Sequence, residues 1–421
     1  MTTQGYAALT LETLPSRLGE VAAARARLGE PAAWRAREVG DGNLNLVFIV
    51  EGPEGAVVVK QALPYVRLVG ESWPLPLSRS FFEHEALVRQ AARDPGAAPE
   101  VFHFDREQAL IVMEFLDRHV ILRRAMIEGR RIAGLGRRLG LFCARTLFRG
   151  SDLSMLAADR KADLALFAGN AALCDITENL VFSDPYRDAP MNRHTPGLDA
   201  LAARLRGDMA MKRVAQHMKW AFATQAETLL HGDLHTGSVM VSDDDIRVID
   251  PEFATYGPMG FDVGMLVANF LMAFCAQPGH ASDPGARDAY ADWLLEETAA
   301  IWSAFVGEFT RLWRTERAGM LYEARLFEAQ GCGLGAEQAR LERLAAIWRD
   351  ALGFCGVEMH RRILGLAHNA DFETIADEAA RAACEARALE IGRVLALSRD
   401  AAPDMAAALE TAREIAGRDL L

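Results

Sequence analysis

The chain reads as an α+β protein in two parts, a small β-rich N-terminal part followed by a larger, mainly helical one. Three observations carry that reading. Short apolar runs separated by glycine-containing turns fill residues 34–60, the pattern of strands joined by hairpins. Beyond Asp117 apolar residues recur at helix-like intervals instead, with alanine abundant throughout. With 421 residues, 51% of them hydrophobic, the chain can bury a substantial core in two lobes or domains.

The elements follow in order. Trp34 to Val39 forms a first strand, and Gly40-Asp41-Gly42-Asn43-Leu44-Asn45 a loop. Leu46 to Val50 resumes an apolar strand, Gly52-Pro53-Glu54-Gly55 turns the chain, and Ala56 to Lys60 is a third strand ending in a lysine. Two glycines with asparagines are ordinary hairpin chemistry, but absent side chains also permit close backbone approach to a ligand. After Trp73-Pro74-Leu75-Pro76, residues 80–93 have helical character with Ser80 as N-cap. Ala109 to Leu116 is a buried strand. Helices are then expected over Arg130 to Phe148, Leu198 to Ala226, Phe261 to Cys275, Asp288 to Trp313, Glu337 to Cys355 and Ile375 to Leu397. Pro185 to Pro196, rich in Pro, Asp and Arg, reads as a surface loop. The most apolar stretch, Phe261 to Ala276, carries Asp262 and is short for a bilayer span, so it reads as a buried helix.

A net charge of −12 with no basic patch argues against nucleic acid as a partner, since phosphate contacts dominate that affinity. Small molecules are the expected partners. Residues 1–14 show no basic segment followed by an apolar run, and no membrane association is expected. Six cysteines are scattered without Cys-x-x-Cys spacing or clustered histidines, which favours reduced core thiols in the cytoplasm over a disulfide framework or a zinc site.

The chemistry concentrates in His231-Gly232-Asp233-Leu234-His235-Thr236-Gly237-Ser238 and Val248-Ile249-Asp250-Pro251-Glu252-Phe253. Phosphoryl transfer from ATP asks a protein mainly to position groups and neutralise charge: one carboxylate orients the accepting hydroxyl and others hold magnesium. Asp233 suits the first role and Asp250 the second. Val239-Met240-Val241 and Ile246-Arg247-Val248-Ile249 read as a hairpin around the polar turn 242–245, returning Asp250 towards Asp233. Each acidic residue alone would be an ordinary loop or turn carboxylate. Their order and the hairpin between them make the signal. His231 and His235 are expected to hold the loop by hydrogen bonds, leaving Asp233 as the acceptor.

The eight-residue loop and Asp250-Pro251-Glu252-Phe253-Ala254 resemble those of methylthioribose kinases, a branch of the protein-kinase-like phosphotransferases that includes aminoglycoside and choline kinases. The wider superfamily has Asn as a metal ligand where this chain has Ser238, and Glu252 adds a carboxylate that could supply the lost ligand strength. The resemblance, which spans roughly Gly40 to Asp371, implies a bilobal protein-kinase-like fold, with a nucleotide-binding lobe over residues 1–116 and a catalytic and substrate-binding lobe over 117–421. It implies that Asn43 and Lys60 place the nucleotide and that backbone groups of Glu114, Phe115 and Leu116 meet the adenine edge. It implies further that Asp250, Pro251 and Glu252 serve the nucleotide side, with Asp250 and Glu252 on magnesium. A Glu on the helix after the lysine strand should orient Lys60. Glu83 and Glu85 are the candidates, two positions apart and facing away from each other, and Glu85 is favoured.

Arg361 and Arg362 precede Ile363-Leu364-Gly365-Leu366-Ala367-His368. Paired arginines on a helix are ordinarily a solvated face. In the resembling family a similar pair contacts the sugar, and about 100° of helix rotation per residue suggests that one acts and the other is structural, with Arg362 slightly ahead. The implied reaction is phosphorylation of 5-methylthioribose at its anomeric hydroxyl by ATP, giving the 1-phosphate and ADP, in methionine salvage; the implied assembly is a homodimer. The sugar comes from the resemblance, for no residue here announces a methylthio pocket. Two rivals stand beside it. A kinase for an aminoglycoside, choline or homoserine would in the first two cases offer an acidic or aromatic surface to a cation, whereas twin arginines suit a neutral polyol. A non-catalytic nucleotide-binding protein would keep a decayed metal site at Ser238, but Lys60, Asp233, Asp250 and Glu252 are retained together.

Overall fold

In the computed structural model, which describes residues 5–40, 44–67, 70–401 and 403–421, the early strands form a five-stranded antiparallel sheet. Its order is Arg35–Glu38, Asn45–Gly52, Gly55–Ala62, Leu110–Glu114, Val101–Asp105. The strands around Lys60 are in register, Val47 opposite Lys60 and Lys60 opposite Ile111. Successive side chains on a strand face opposite ways. Val57 and Val59 accordingly enter an apolar cluster with Phe48, Val50, Leu110 and Val112. Lys60 takes the other face. That cluster is closed by Leu14 and Leu18 of the helix Leu14–Gly19 and by Ala24 and Leu28 of the helix Ala22–Leu28. Neither helix, nor the strand Val101–Asp105, is among the elements expected from the sequence.

The chain divides into two units. One comprises Met1–His119 with Asn170–Leu173 and Arg247–Ala254; the other comprises Val120–Gly169, Cys174–Ile246 and Thr255–Leu421. Asn170 belongs to the first because its buried amide donates to the carbonyls of Glu252 (2.9 Å) and Ala254 (3.0 Å).

The second unit is built round the helix Gly260–His280, whose residues are buried from Gly260 to Gln277. It is long and apolar enough to span a membrane by length and composition, yet it lies inside the protein. The helices Asp288–Thr315, Gly333–Leu364 and Glu378–Ser398 pack against it. Small residues set the spacing: a Cβ on Gly356 would meet the Gly392 carbonyl oxygen at 2.2 Å. The longest helix starts before and ends after the expected Glu337 to Cys355, and so carries Arg361 and Arg362 in its last turn. The expected helix over Leu198 to Ala226 is two, Asp199–Gly207 and Met209–Thr224. Asp208 ends the first and caps the second, accepting from the amides of Ala210 and Met211 at 3.0 Å. The stretch expected as a surface loop is partly internal, with Pro185, Tyr186, Ala189 and Thr195 buried.

Candidate active site

In the first unit the helix Arg79–Arg93 begins one residue before the expected cap, so Ser80 lies in the first turn and its hydroxyl donates to the Leu77 carbonyl. The helix buries Arg79, Phe82, Glu83, Ala86, Leu87 and Gln90, a stripe at helical spacing. Glu83 is on that stripe and accepts from Lys60 Nζ at 2.8 Å. Glu85, the favoured candidate, is not the partner. It lies off the stripe and pairs with Arg89 one turn on (2.7 Å) and with His84 (3.0 Å).

Lys60 also contacts Asp250. Asp250 holds a left-handed backbone (φ 66°), a conformation that costs a non-glycine residue about 1–2 kcal/mol. Pro251 and Glu252 behind it are buried. Glu252 accepts from Asn45 Nδ2 at 3.0 Å and lies 3.6 Å from Arg79 Nε. Arg79 is wholly internal and ties the strand ends together, donating to the carbonyls of Leu63 (2.6 Å) and Leu44 (2.8 Å) and to Asn45 Oδ1 (3.0 Å). Asn43 lies outside the described residues.

Glu83, Asp250 and Glu252 offer oxygens within 4.8 Å of one another. Burial, reinforced by the neighbouring carboxylates, raises Glu83 to about 8 and raises Glu252 above its usual range. Burial alone would lower Lys60, but Asp250, Glu83 and Glu252 outweigh it and hold the ammonium charged. Three hard oxygen donors sharing two cationic side chains, with Glu83 and Glu252 pushed towards proton uptake, fit a divalent cation such as magnesium. At the end of the strand Leu110–Glu114, the amide of Glu114 donates to the Glu100 carbonyl (2.8 Å) and its carboxylate accepts from Arg247 (3.2 Å). Its side chain and amide are thus committed within the unit. Phe115 is half-buried and Leu116 buried, with the Leu116 carbonyl accepting from His119.

In the second unit the loop 231–238 is held from below by Asp262. Its two oxygens accept the amides of His231 (2.7 Å) and Gly232 (3.1 Å). Gly232 has φ +85°, and a Cβ on Gly237 would sit 2.7 Å from the His235 ring, so both positions call for glycine. His235 Nδ1 accepts from the Gly237 amide (2.9 Å), which in the neutral ring leaves the hydrogen on Nε2, 3.3 Å from Asp233 Oδ2. Ser238 donates to the Asp233 carbonyl at 3.0 Å. Its hydroxyl braces the loop.

Asp233 Oδ1 accepts from Arg361 Nη2 (3.2 Å) and from Arg362 Nη2 (3.3 Å). Both guanidinium groups thus reach the same oxygen. Burial works against ionisation of Asp233, but His235 and the two arginines hold it well below the usual carboxylate range. Each carboxylate oxygen offers two lone pairs. With two donors on Oδ1 and one on Oδ2 among the described residues, a single acceptor position remains, on Oδ2.

The motif reading missed several residues of this set. Arg123 donates to Thr236 Oγ1 (3.1 Å) and Asn269 Oδ1 (3.0 Å) and faces Asp371 at 3.2 Å. Glu358, fully buried, accepts from both Arg361 and Arg362. A signal existed for two of them: Asp262 and Glu358 are charged residues inside apolar helical stretches, where an unpaired charge would be costly.

Burial lowers His235 and His360 to about 4. An unfolded histidine takes up its proton near pH 6.5, so between pH 4 and 6.5 the unfolded chain binds more protons and stability falls as the pH falls. The unfolding free energy from urea titration at about pH 5 is expected below that at about pH 7, by on the order of 1–2 kcal/mol per histidine. A His360→Gln variant should flatten that slope; equal slopes in variant and parent would contradict the assignment.

The model of the phosphotransferase enzyme family matches residues 35–305. A methylthioribose kinase of Escherichia coli is 41% identical over 412 residues, covering 97% of this chain and 98% of that protein. Methylthioribose kinase 1 of Oryza sativa subsp. japonica is 42% identical over 365 residues, 86% of this chain and 85% of that one. A methylthioribose kinase of Yersinia pseudotuberculosis is 42% identical over 366 residues, covering 86% of each chain.

Proposed function

Since the chain belongs to the methylthioribose kinases of the phosphotransferase enzyme family, we propose that it phosphorylates 5-methylthioribose at the anomeric hydroxyl with ATP, giving the 1-phosphate and ADP in methionine salvage. The observation that carries the acceptor side is the Asp233 carboxylate, bridged by Arg361 and Arg362 with one acceptor position left on Oδ2. The carboxylates around it are matched by arginines: Asp233 and Glu358 by Arg361 and Arg362, Asp371 by Arg123. No surplus negative charge is left in that set for a cationic aminoglycoside or choline, and a neutral sugar suits it.

The acceptor hydroxyl donates to Asp233 Oδ2, which turns an oxygen lone pair towards the γ-phosphorus. As the new O–P bond forms, the P–O bond to ADP breaks and the hydroxyl proton passes to Asp233. A carboxylate held so far below its usual range is a weak base, so that proton moves late, in keeping with a loose transition state that needs orientation first. Arg361 and Arg362 donate to the ribose hydroxyls and to phosphoryl oxygens as charge develops. Lys60, fixed by Glu83, binds the α and β phosphates, and Asn43 serves the nucleotide with it. The backbone of Phe115 and Leu116 with the Glu114 carbonyl meets the adenine. Asp250 and Glu252 would hold magnesium, which when bound screens the phosphate charge. Pro251 fixes the turn between them.

A cytoplasmic homodimer completes the reading. All six cysteines are free, and Leu334 and Leu341, two turns apart on one helix face, are 88% and 57% exposed. Sedimentation equilibrium returning the monomer mass would remove the dimer. The test of function is ADP release by the purified chain with ATP and magnesium against 5-methylthioribose, choline, homoserine and an aminoglycoside. Methylthioribose-dependent release with a 1-phosphate product is expected; its absence would sink the reading.

A further inference from the structure

We infer that Glu358 is a positioning residue for the acceptor: by gripping Arg361 and Arg362 it aims both at one oxygen of Asp233 and keeps the other open for the hydroxyl. The inference rests on Asp233 being the acceptor-orienting carboxylate. Glu358 is fully buried in the helix Gly333–Leu364, one turn before the arginines. At about 100° per residue, positions three and four residues on lie about 60° to one side and about 40° to the other. The two arginines therefore flank Glu358 rather than point apart.

The contacts divide each guanidinium in an uncommon way. Nε and Nη2 form the edge that ordinarily clamps a single carboxylate with two parallel bonds. Here Arg361 gives Nε to Glu358 Oε2 (2.7 Å) and Nη2 to Asp233 Oδ1 (3.2 Å). Arg362 gives Nε to Glu358 Oε1 (2.7 Å) and Nη2 to the same Oδ1 (3.3 Å). Were Glu358 not holding the Nε groups, each edge would be released to clamp Asp233 across both oxygens. Two such clamps, with His235, would occupy the position on Oδ2 that the acceptor needs. Glu358 thus rations the arginines as well as neutralising them.

A carboxylate that only balanced two buried arginines would affect stability and leave the acceptor terms alone. Glu358→Gln keeps the shape but sets an NH2 group against one arginine Nε. The expected loss is roughly ten- to hundredfold in kcat/KM for 5-methylthioribose, the scale of a small misplacement of a reacting group, with KM for ATP within about twofold. In an Arg361→Ala, Arg362→Ala background the same change should cost less than about threefold, since it acts through those side chains. An unchanged acceptor kcat/KM, or an equal loss in both backgrounds, overturns the inference. Should Glu358→Gln not fold, Arg361→Lys and Arg362→Lys decide: an ammonium is one point and cannot split an edge between two carboxylates, so each should lose as much as alanine. Full activity in either lysine variant overturns it. The parent protein in the same assay separates the two readings. Turnover by the parent with no deficit in the variants removes only Glu358's role, and no turnover by the parent removes the functional reading itself.

Discussion

Asp233→Asn is expected to lower kcat/KM for 5-methylthioribose by about 10²–10⁴-fold, the range for removing a positioned acid–base group. The substitution is nearly isosteric, so the effect is one of hydrogen-bond polarity. Asp233 accepts from Arg361, Arg362 and His235 and has one position left. An asparagine offers one accepting oxygen and an NH2 that donates. If the oxygen faces the arginines, the NH2 meets the His235 Nε2–H and presents donors to the acceptor hydroxyl. Turning the amide over sets the NH2 against two guanidinium groups. The first orientation has no accepting atom for the hydroxyl, and the second keeps one only by setting donors against donors and cannot take up the proton. KM for ATP should stay within about twofold, since the group lost acts on the acceptor. Steady-state kinetics with both substrates varied checks this, and a variant with full turnover would reject the mechanism.

Lys60→Ala is expected to have the opposite signature, with nucleotide affinity falling by at least about tenfold, or about 1.4 kcal/mol, and KM for the sugar little changed. It should also destabilise the protein by roughly 3–5 kcal/mol, because removing one member of a buried ion pair leaves its partners uncompensated. Glu83, Asp250 and Glu252 would then face Arg79 alone. The pH dependence separates this from simple loss of packing. Burial raises Glu83 to about 8 even with Lys60 present. A carboxyl whose folded pKa exceeds its unfolded value stabilises the fold fully below the unfolded value and loses that contribution as pH rises through the folded one. Without Lys60 the folded value rises further, so the variant goes on losing stability above pH 8 where the parent's loss has levelled off, and its deficit should be larger at about pH 9 than at about pH 5. Urea titrations at both pH values and a binding isotherm with ATP measure the two effects, and a pH-independent deficit would mean that charge is not its cause.

What was legible from residues alone follows the range of the interaction involved. The strands around Lys60 and the strands Val239–Val241 and Ile246–Val248 lie where apolar alternation and turn residues put them. These features are set within a few residues of chain. Glu83 against Glu85 was legible in principle: Ala86 and Leu87 lie one turn after Glu83 and share its face, so the apolar stripe points to it. The two short helices over Leu14–Gly19 and Ala22–Leu28 have too few turns to show periodicity, and they are secured by the sheet face they cover. The break at Asp208 carried a local cap signal that the continuous apolar spacing on either side obscured.

Residue type and spacing inside two short motifs set which side chains can orient a hydroxyl, hold a phosphate or bind a cation. The company those side chains keep is a matter of tertiary packing. Arg361 meets Asp233 across 128 residues and Asn45 meets Glu252 across 207. Those pairings follow from how apolar helix and sheet faces bury one another, which is non-directional and leaves no local mark on the chain. Asp262 under the loop, Arg79 behind Glu252 and Glu358 beneath the arginines are single charged residues within otherwise unremarked stretches. Their meaning appears once burial has removed water and left each of them one set of partners.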